Sequence, residues 1–104
     1  MILLNTTFAC DPALEQEVIS WIQTDYLPAA IKSGLFSRCT VSKIFPHPDA
    51  DASSIAAQML CSTTGDAEKW INEEGEQITA AFTQGRIDRI MAFSTLMEVI
   101  YECD

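Results

Sequence analysis

The chain has 104 residues, with 6 lysines and arginines against 15 aspartates and glutamates, so its formal charge is −9. Hydrophobic residues make up 48% and charged residues 20% of the chain, a balance typical of one globular domain, residues 1–104, and too apolar for disorder. The acidity excludes nucleic acid and anionic lipid surfaces as favoured partners, because both need clustered lysine and arginine.

The apolar segments are short. None approaches the roughly 18 residues needed to cross a bilayer. Residues 1–7 carry no basic segment, and their apolar run is too short for a secretory signal. We therefore expect a cytoplasmic protein with no membrane partner.

Four cysteines occupy positions 10, 39, 61 and 103. The closest two in sequence, Cys39 and Cys61, are 22 positions apart, so no Cys-x-x-Cys metal or redox pair exists. We expect Cys39 and Cys61 to be reduced and buried in apolar space and Cys103 to be exposed, and we expect neither a metal nor a cofactor. Two disulfides, or a metal site that joins a cysteine to the single histidine, are the alternatives.

Alternating side chains in residues 2–9 predict a first strand that is covered on both faces. Asp11 and Pro12 then predict a helix start, because aspartate caps helix N-termini and proline is favoured at the first helical position. Pro28 predicts a kink or a break in this helix, and Gly34 predicts its end. Its apolar stripe consists of Leu14, Val18, Trp21, Ile22 and Leu27.

Residues 35–45 and 53–62 predict the second and third strands, joined by a turn-rich loop. Residues 66–84 predict one helix, and we interpret Gly75 on its inner face as a place where a neighbour comes close. Residues 86–101 predict a fourth strand. A helix is the competing interpretation there, but the alternation and the β-branched and aromatic content favour a strand.

The resulting order β-α-β-β-α-β predicts a ferredoxin-like α+β fold: a four-stranded antiparallel sheet with two helices on one face and the first and third strands in the centre. The other face carries apolar residues, which we expect on all four strands. The pattern therefore predicts a homodimer that buries this open face, with the end of the long fourth strand available to pair with the partner's edge. In the alternative interpretation, polar residues such as Asn5, Arg38 and Ser94 keep the open face of the sheet hydrated, and the protein is a monomer.

Three segments resemble a family of uncharacterised bacterial proteins, a domain of unknown function placed among the dimeric α+β barrels. They are Trp21-Ile22 with Leu27-Pro28, Ser33-Gly34-Leu35-Phe36, and the segment from Met91 to Val99. The resemblance implies the same fold and dimerisation. Its wider superfamily includes monooxygenases, isomerases and ligand-sensing domains, so membership does not select a function. The histidine that commonly precedes the Leu-Pro step in the family is replaced here by Tyr26, and the family's later histidine has no counterpart in residues 79–84.

The predicted fold and the family resemblance indicate which residues are candidates for a functional site. Tyr26, Trp21 and Trp70 are candidates to line a pocket between the sheet and the helices, with core packing as the alternative. Asp25 is a candidate base if it is desolvated, and His47 is a candidate acid–base group in a loop. Arg38 and Arg89 are expected either to pair with a carboxylate or to hold an anion, and Glu73, Glu74 and Glu76 to form a solvated face.

Three classes of function remain open. The first is a homodimeric module that binds a small molecule or a partner without catalysis. The second is a cofactor-independent enzyme of the monooxygenase or isomerase kind. The third is an accessory subunit that docks through a sheet edge.

Overall fold

The structure, a computed structural model, describes residues 1–46, 48–49, 51–86 and 88–103. The strands are β1 (Ile2–Cys10), β2 (Arg38–Lys43), β3 (Ser53–Cys61) and β4 (Ile90–Glu98). The helices are α1 (Glu15–Trp21), α2 (Leu27–Lys32), α3 (Thr64–Asn72) and α4 (Glu74–Thr83), with a 3-10 turn at Pro12–Leu14 and a π-helical segment at Ile22–Tyr26.

The four strands form one antiparallel sheet in the order β2-β3-β1-β4. β1 and β3 are therefore central, as the sequence predicts, and the ferredoxin-like fold class is confirmed. The segment that ends the chain is a strand rather than a helix. Both edges of the sheet, β2 and β4, have a neighbour on one side only.

The core lies between the sheet and the helices. Alternate side chains of β1 and β3 point into it, and Leu4, Phe8, Ile55 and Met59 are fully buried there. Burial of each such side chain contributes about 1.5–3 kcal/mol. The Phe8 ring packs edge-on against two helical aromatics, Trp21 and Tyr26, with centroid distances of 5.4 Å in both cases.

The first helical region begins as the sequence predicts. The Asp11 side chain accepts a hydrogen bond from the Ala13 N–H at 2.9 Å, and Pro12 occupies the first helical turn. The chain does not break at Pro28. Instead a π-helical segment precedes it, in which the Leu27 N–H donates to the carbonyl five residues earlier, at Ile22. This wider turn is a known way to accommodate a disturbed hydrogen-bond ladder.

The prediction of one helix over residues 66–84 is wrong. The helix breaks at Glu73, whose backbone has φ −121° and ψ −102°, and α3 and α4 are separate. The reason lies at Gly75, where a Cβ atom would stand 2.6 Å from both Trp70 Nε1 and the Trp70 carbonyl oxygen. The break lets the backbone of α4 pack directly on Trp70, so the interpretation of Gly75 as a close-approach position is confirmed.

Two predicted strands are shorter in the structure. β2 begins at Arg38 rather than at residue 35, and β4 spans Ile90–Glu98 rather than residues 86–101. The open face also differs from the prediction, because the strand register places Arg38, Thr40 and Ser42 of β2 on that side. Apolar side chains on the open face therefore come from three strands, not four. Ser94 lies on the helix-facing side, where it pairs with Thr6, and does not wet the open face.

Two surface carboxylates near the start of the first helix have lowered pKa values. The Ala13 N–H, and then Arg89 at 3.3 Å, hold the pKa of Asp11 below its ordinary value. Lys43, whose Nζ lies 3.1 Å from Glu15, does the same for the pKa of Glu15. These bonds stabilise the folded state only while the carboxylates are charged.

We expect the free energy of unfolding to fall as the pH drops through these lowered pKa values, starting below about pH 4.5, where the unfolded carboxyls begin to take up protons. Urea unfolding at several pH values measures the slope. Lys43→Met should make the slope shallower, because the pKa of Glu15 then moves towards its unfolded value. An unchanged slope in Lys43→Met would contradict this assignment.

Candidate functional site

The helical layer covers only the start of β4, where Ile90 is buried. Leu4, Thr6 and Phe8 of β1 are buried, but their β4 partners, namely Leu96, Ser94 and Ala92, are exposed. The gap between β4 and α4 is a cleft of about 600 Å³. This volume is within the usual range for small-molecule sites.

Small side chains on α4 leave this space open. Gly75, Thr79 and Thr83 are spaced four residues apart, so they share one face of the helix. With Ala80 they form the helical wall of the cleft, opposite the short side chains of Ala92 and Ser94. Larger residues on either wall would close the gap.

The inner end of the cleft is polar. The Trp70 Nε1–H donates to the Tyr26 hydroxyl at 3.1 Å. The Thr6 side chain lies close enough to Tyr26 to act on the pKa of its phenol, and the hydroxyls of Thr6 and Ser94 lie 2.8 Å apart. We call this series Trp70–Tyr26–Thr6–Ser94 the hydroxyl chain. Its last member, Ser94, is exposed in the cleft, so the chain ends in a group that can both donate and accept a hydrogen bond.

Tyr26 is a neutral member of this chain. Burial raises the pKa of its phenol, and the hydrogen bond from Trp70 together with the nearby Thr6 side chain opposes that shift only in part. Tyr26 therefore keeps its proton at neutral pH. It is suited to hydrogen bonding rather than to service as a base.

Few charges surround the cleft. Of the described residues that line it, only Glu76 is charged, and it is exposed. The part of the chain that the structure describes contains no group of three or more histidine, cysteine, aspartate or glutamate side chains able to hold a metal ion. The arrangement is suited to recognition by shape and hydrogen bonds, because Tyr26, a buried titratable group among the described lining residues, keeps its proton at neutral pH.

The structure places only some of the predicted site residues in the cleft. Tyr26 and Trp70 line the cleft. Trp21 lies instead in the core, where it stacks on Phe82 with ring centroids 4.2 Å apart. Asp25 is exposed and accepts a hydrogen bond from Thr24, so it is not desolvated. His47 lies outside the described residues.

Sequence reasoning missed Thr6, Ser94 and the small face of α4. The spacing of Gly75, Thr79 and Thr83 is a visible signal for the helical wall. The contact between Thr6 and Ser94 has no such signal, because the two residues are 88 positions apart.

The cysteines are all free. The predicted burial of Cys61 and exposure of Cys103 are confirmed, and Cys10 is also buried. The prediction that Cys39 is buried is wrong: it is half-buried, because it lies on the edge strand β2. Burial raises the pKa of the thiols of Cys10, Cys39 and Cys61, so these three are poor nucleophiles.

The sheet order, the single helical layer and the cleft beside the edge strand define a ferredoxin-like α+β protein. The pattern of one family, a domain of unknown function called DUF4286, matches residues 1–100. The chain belongs to this family. No curated protein matches the sequence.

Several solved structures share the fold at low sequence identity. HapK from Hahella chejuensis is 10% identical, with a TM-score of 0.70 over 100% of this chain and 97% of its own. A putative antibiotic biosynthesis monooxygenase from Bacillus cereus is also 10% identical, with a TM-score of 0.68 over 99% and 96%. A dimeric ferredoxin-like protein from an uncultured marine organism is 15% identical, with a TM-score of 0.60 over 98% of both chains. At these identities the likeness is one of fold.

No helix in the described ranges is long and apolar enough to cross a membrane.

Proposed function

We propose that this protein is a homodimeric module that binds a small molecule in the cleft between β4 and α4. The observation that carries the proposal is the cleft itself, a gap of about 600 Å³ that ends at the hydroxyl chain. Apolar walls with a few convergent polar groups are the usual design of a small-molecule site.

The lining indicates the chemistry of the ligand. Ile71, Ala80 and Leu96 offer apolar contact, while Ser94 offers one hydrogen bond at the inner end. The rim carries Glu76 and the whole chain carries a formal charge of −9, which disfavours anions. We therefore expect an uncharged molecule with an apolar body and a single hydroxyl or carbonyl group.

The dimer is supported by the exposed area of the single chain. The chain exposes 6602 Å², whereas a compact monomer of this mass exposes about 5,800 Å². The excess of about 800 Å² equals the area that each partner contributes to a standard interface.

The open face contributes much of the exposed apolar surface. Met91, Phe93 and Met97 of β4 are 67%, 53% and 39% exposed, and the register places all three on the side away from the helices. A second copy of the same face is the simplest cover, because a two-fold interface needs only one self-complementary patch. Two of the solved relatives in fold are described as dimeric.

We also propose that the protein acts in the cytoplasm. The free cysteines, two of them buried, support a reducing compartment.

A thermal-shift screen tests binding. The panel contains small uncharged aromatic compounds, aromatic acids, haem and flavin. A compound present at 100 times its Kd should add about 2.7 kcal/mol to the free energy of unfolding. We expect uncharged aromatic compounds to raise the Tm and the matching carboxylic acids to have no effect. If no compound of the panel raised the Tm, the result would contradict the proposal and favour a module that only docks onto another protein.

Two variants locate the site of any compound that binds. Ser94→Ala removes the terminal hydroxyl of the hydroxyl chain and should weaken binding about fivefold, the equivalent of one neutral hydrogen bond of about 1 kcal/mol. Ser62→Ala, at an exposed position after β3, should leave the affinity unchanged. Equal affinities in the two variants would place the compound outside the cleft.

The second candidate function is an enzyme of the monooxygenase or isomerase kind. The Thr6–Ser94 pair of the hydroxyl chain is the observation that favours it, because two hydrogen-bonded hydroxyls can pass a proton to a bound molecule. Chromatographic recovery of the bound compound after long incubation separates the two functions. Recovery of the unchanged compound supports the binding module, and a new product supports the enzyme.

A further inference from the structure

Residues 99–103 leave the sheet after β4 with their apolar side chains in solvent. One backbone hydrogen bond, from the Val99 N–H to the Met1 carbonyl at 2.9 Å, ties the segment to the sheet. Beyond it, Ile100 is 93% and Tyr101 is 83% exposed. Two large adjacent side chains with so little contact indicate a missing partner surface.

A groove at the opposite edge of the sheet has matching properties. It lies between α2 and the start of β2, has a volume of about 560 Å³ and opens at the outer edge of the sheet. Leu27, Pro28 and Ile31 form its apolar part, and Lys32 and Arg38 form its charged part.

The two cations of the groove have no counter-ion in the described part of the chain. Lys43, Arg86 and Arg89 are paired with Glu15, Glu17 and Asp11, respectively. Lys32 and Arg38 in the groove, and Lys69 on α3, form no such pair among the described residues, although the chain carries an excess of nine negative charges. The segment after β4 carries a matching charge in Glu102, directly after its two apolar residues.

The edge of β2 can also accept another strand. β3 pairs with one side of β2, and no strand of the described residues lies beside the backbone groups on the other side. Such edges bind extended segments by adding them as a further strand.

The strand register brings the segment and the groove to the same end of the sheet. β4 ends at Glu98 opposite Ile2, and β2 begins at Arg38 opposite Leu60, one residue before the partner of Ile2. Two copies of the sheet can face each other across a two-fold axis that runs parallel to the strands. This rotation leaves the same end of both sheets on the same side and places opposite edges across from each other. β4 of one copy then lies across from β2 of the other.

The distances agree with this arrangement. Facing sheets lie about 10 Å apart, and five extended residues span about 17 Å, so residues 99–103 can cross to the partner. Within one chain the groove lies three strand spacings away, about 14 Å, across the ends of β1 and β3. The single chain leaves Ile100 and Tyr101 in solvent.

We propose that residues 99–103 of each copy bind the α2–β2 groove of the second copy, with Ile100 on the apolar part and Glu102 beside Lys32 and Arg38. This inference rests on the proposed homodimer and adds a second, charge-selective contact to its sheet interface. Each copy both gives a segment and receives one, so the contact closes after two copies.

Charge reversal tests the proposal in the full chain. Arg38→Glu and Glu102→Arg should each raise the Kd of the dimer about fivefold at low salt, and the double variant should restore it to within about twofold of the wild type. Ile100→Ser should raise the Kd about tenfold or more by loss of apolar burial. Glu68→Arg, at an exposed position of α3, makes the same change in net charge as Glu102→Arg and should not alter the Kd. Sedimentation over a dilution series measures the wild type and the five variants.

The outcomes separate this proposal from the dimer on which it rests. A dimeric wild type whose Kd is unaffected by Ile100→Ser, or whose charge reversals do not compensate, overturns the docking of the segment and leaves the sheet interface standing. A change in thermal stability without a change in Kd would place the segment in its own groove and also overturns the proposal. A monomeric wild type overturns both.

Discussion

Phe93→Glu is expected to convert the proposed homodimer to a monomer. Phe93 lies near the middle of β4 on the open face, between Met91 and Met97 on the same side. In a two-fold interface the substitution places a carboxylate in each of the two facing patches. A charge without a partner in such an interface costs several kcal/mol, which raises the Kd of the dimer by a factor of about 1,000 or more.

Sedimentation velocity at micromolar concentration measures this effect. The matched control is Phe45→Glu, which makes the same change at a phenylalanine that is 94% exposed and lies outside the sheet. We expect Phe45→Glu to remain dimeric. A dimer that survives Phe93→Glu unchanged would show that the two copies meet through another surface.

Gly75→Ala is expected to lower the free energy of unfolding by about 1–3 kcal/mol, the usual cost of overpacking. The added methyl group would stand 2.6 Å from Trp70 Nε1 and from the Trp70 carbonyl oxygen. Either the indole ring moves away from Tyr26, which breaks the hydrogen bond at the start of the hydroxyl chain, or α4 shifts. This clash outweighs the gain of up to about 1 kcal/mol that alanine provides over glycine in a helix.

Gly65→Ala is the matched control. Gly65 is also helical, and a Cβ atom there would contact only the Thr63 hydroxyl, at an ordinary 3.7 Å. It should stabilise the fold by about 0.4–1 kcal/mol, because alanine restricts the unfolded chain. Urea unfolding compares the two variants. Equal stabilities would show that Trp70 is not held against α4 at Gly75.

The fold was predictable because its signals are local. Alternation in residues 2–9 and 53–62 and the Asp11-Pro12 helix start each depend on neighbours in sequence. They place the strands and the first helix correctly, and the order of elements then determines the sheet topology.

The break between α3 and α4 was not predictable in the same way. Residues 66–84 have a helical pattern throughout, and the unusual backbone of Glu73 has no local cause in the residue type. The break follows from the contact of Gly75 with Trp70, and tertiary contacts of this kind override helix propensity. Gly75 indicated a close approach at this position, but it did not indicate that the helix breaks there.

The candidate site was predictable in part. Tyr26 and Trp70 were identified as aromatic residues with polar groups, which suit the wall of a pocket. The hydroxyl chain was not identified, because Thr6 and Ser94 meet only through the register of β1 and β4. A shift of one residue in that register would send Ser94 to the other face of the sheet.

The two tryptophans allow a direct measurement of binding in the cleft. Trp70 lines the cleft, whereas Trp21 lies in the core against Phe82, so the two indole N–H signals in an NMR spectrum report on different places. On titration with an uncharged aromatic compound that raises the Tm, the account predicts that the Trp70 signal moves and the Trp21 signal stays. A compound that moves only the Trp21 signal, or neither signal, would contradict the cleft as the binding site.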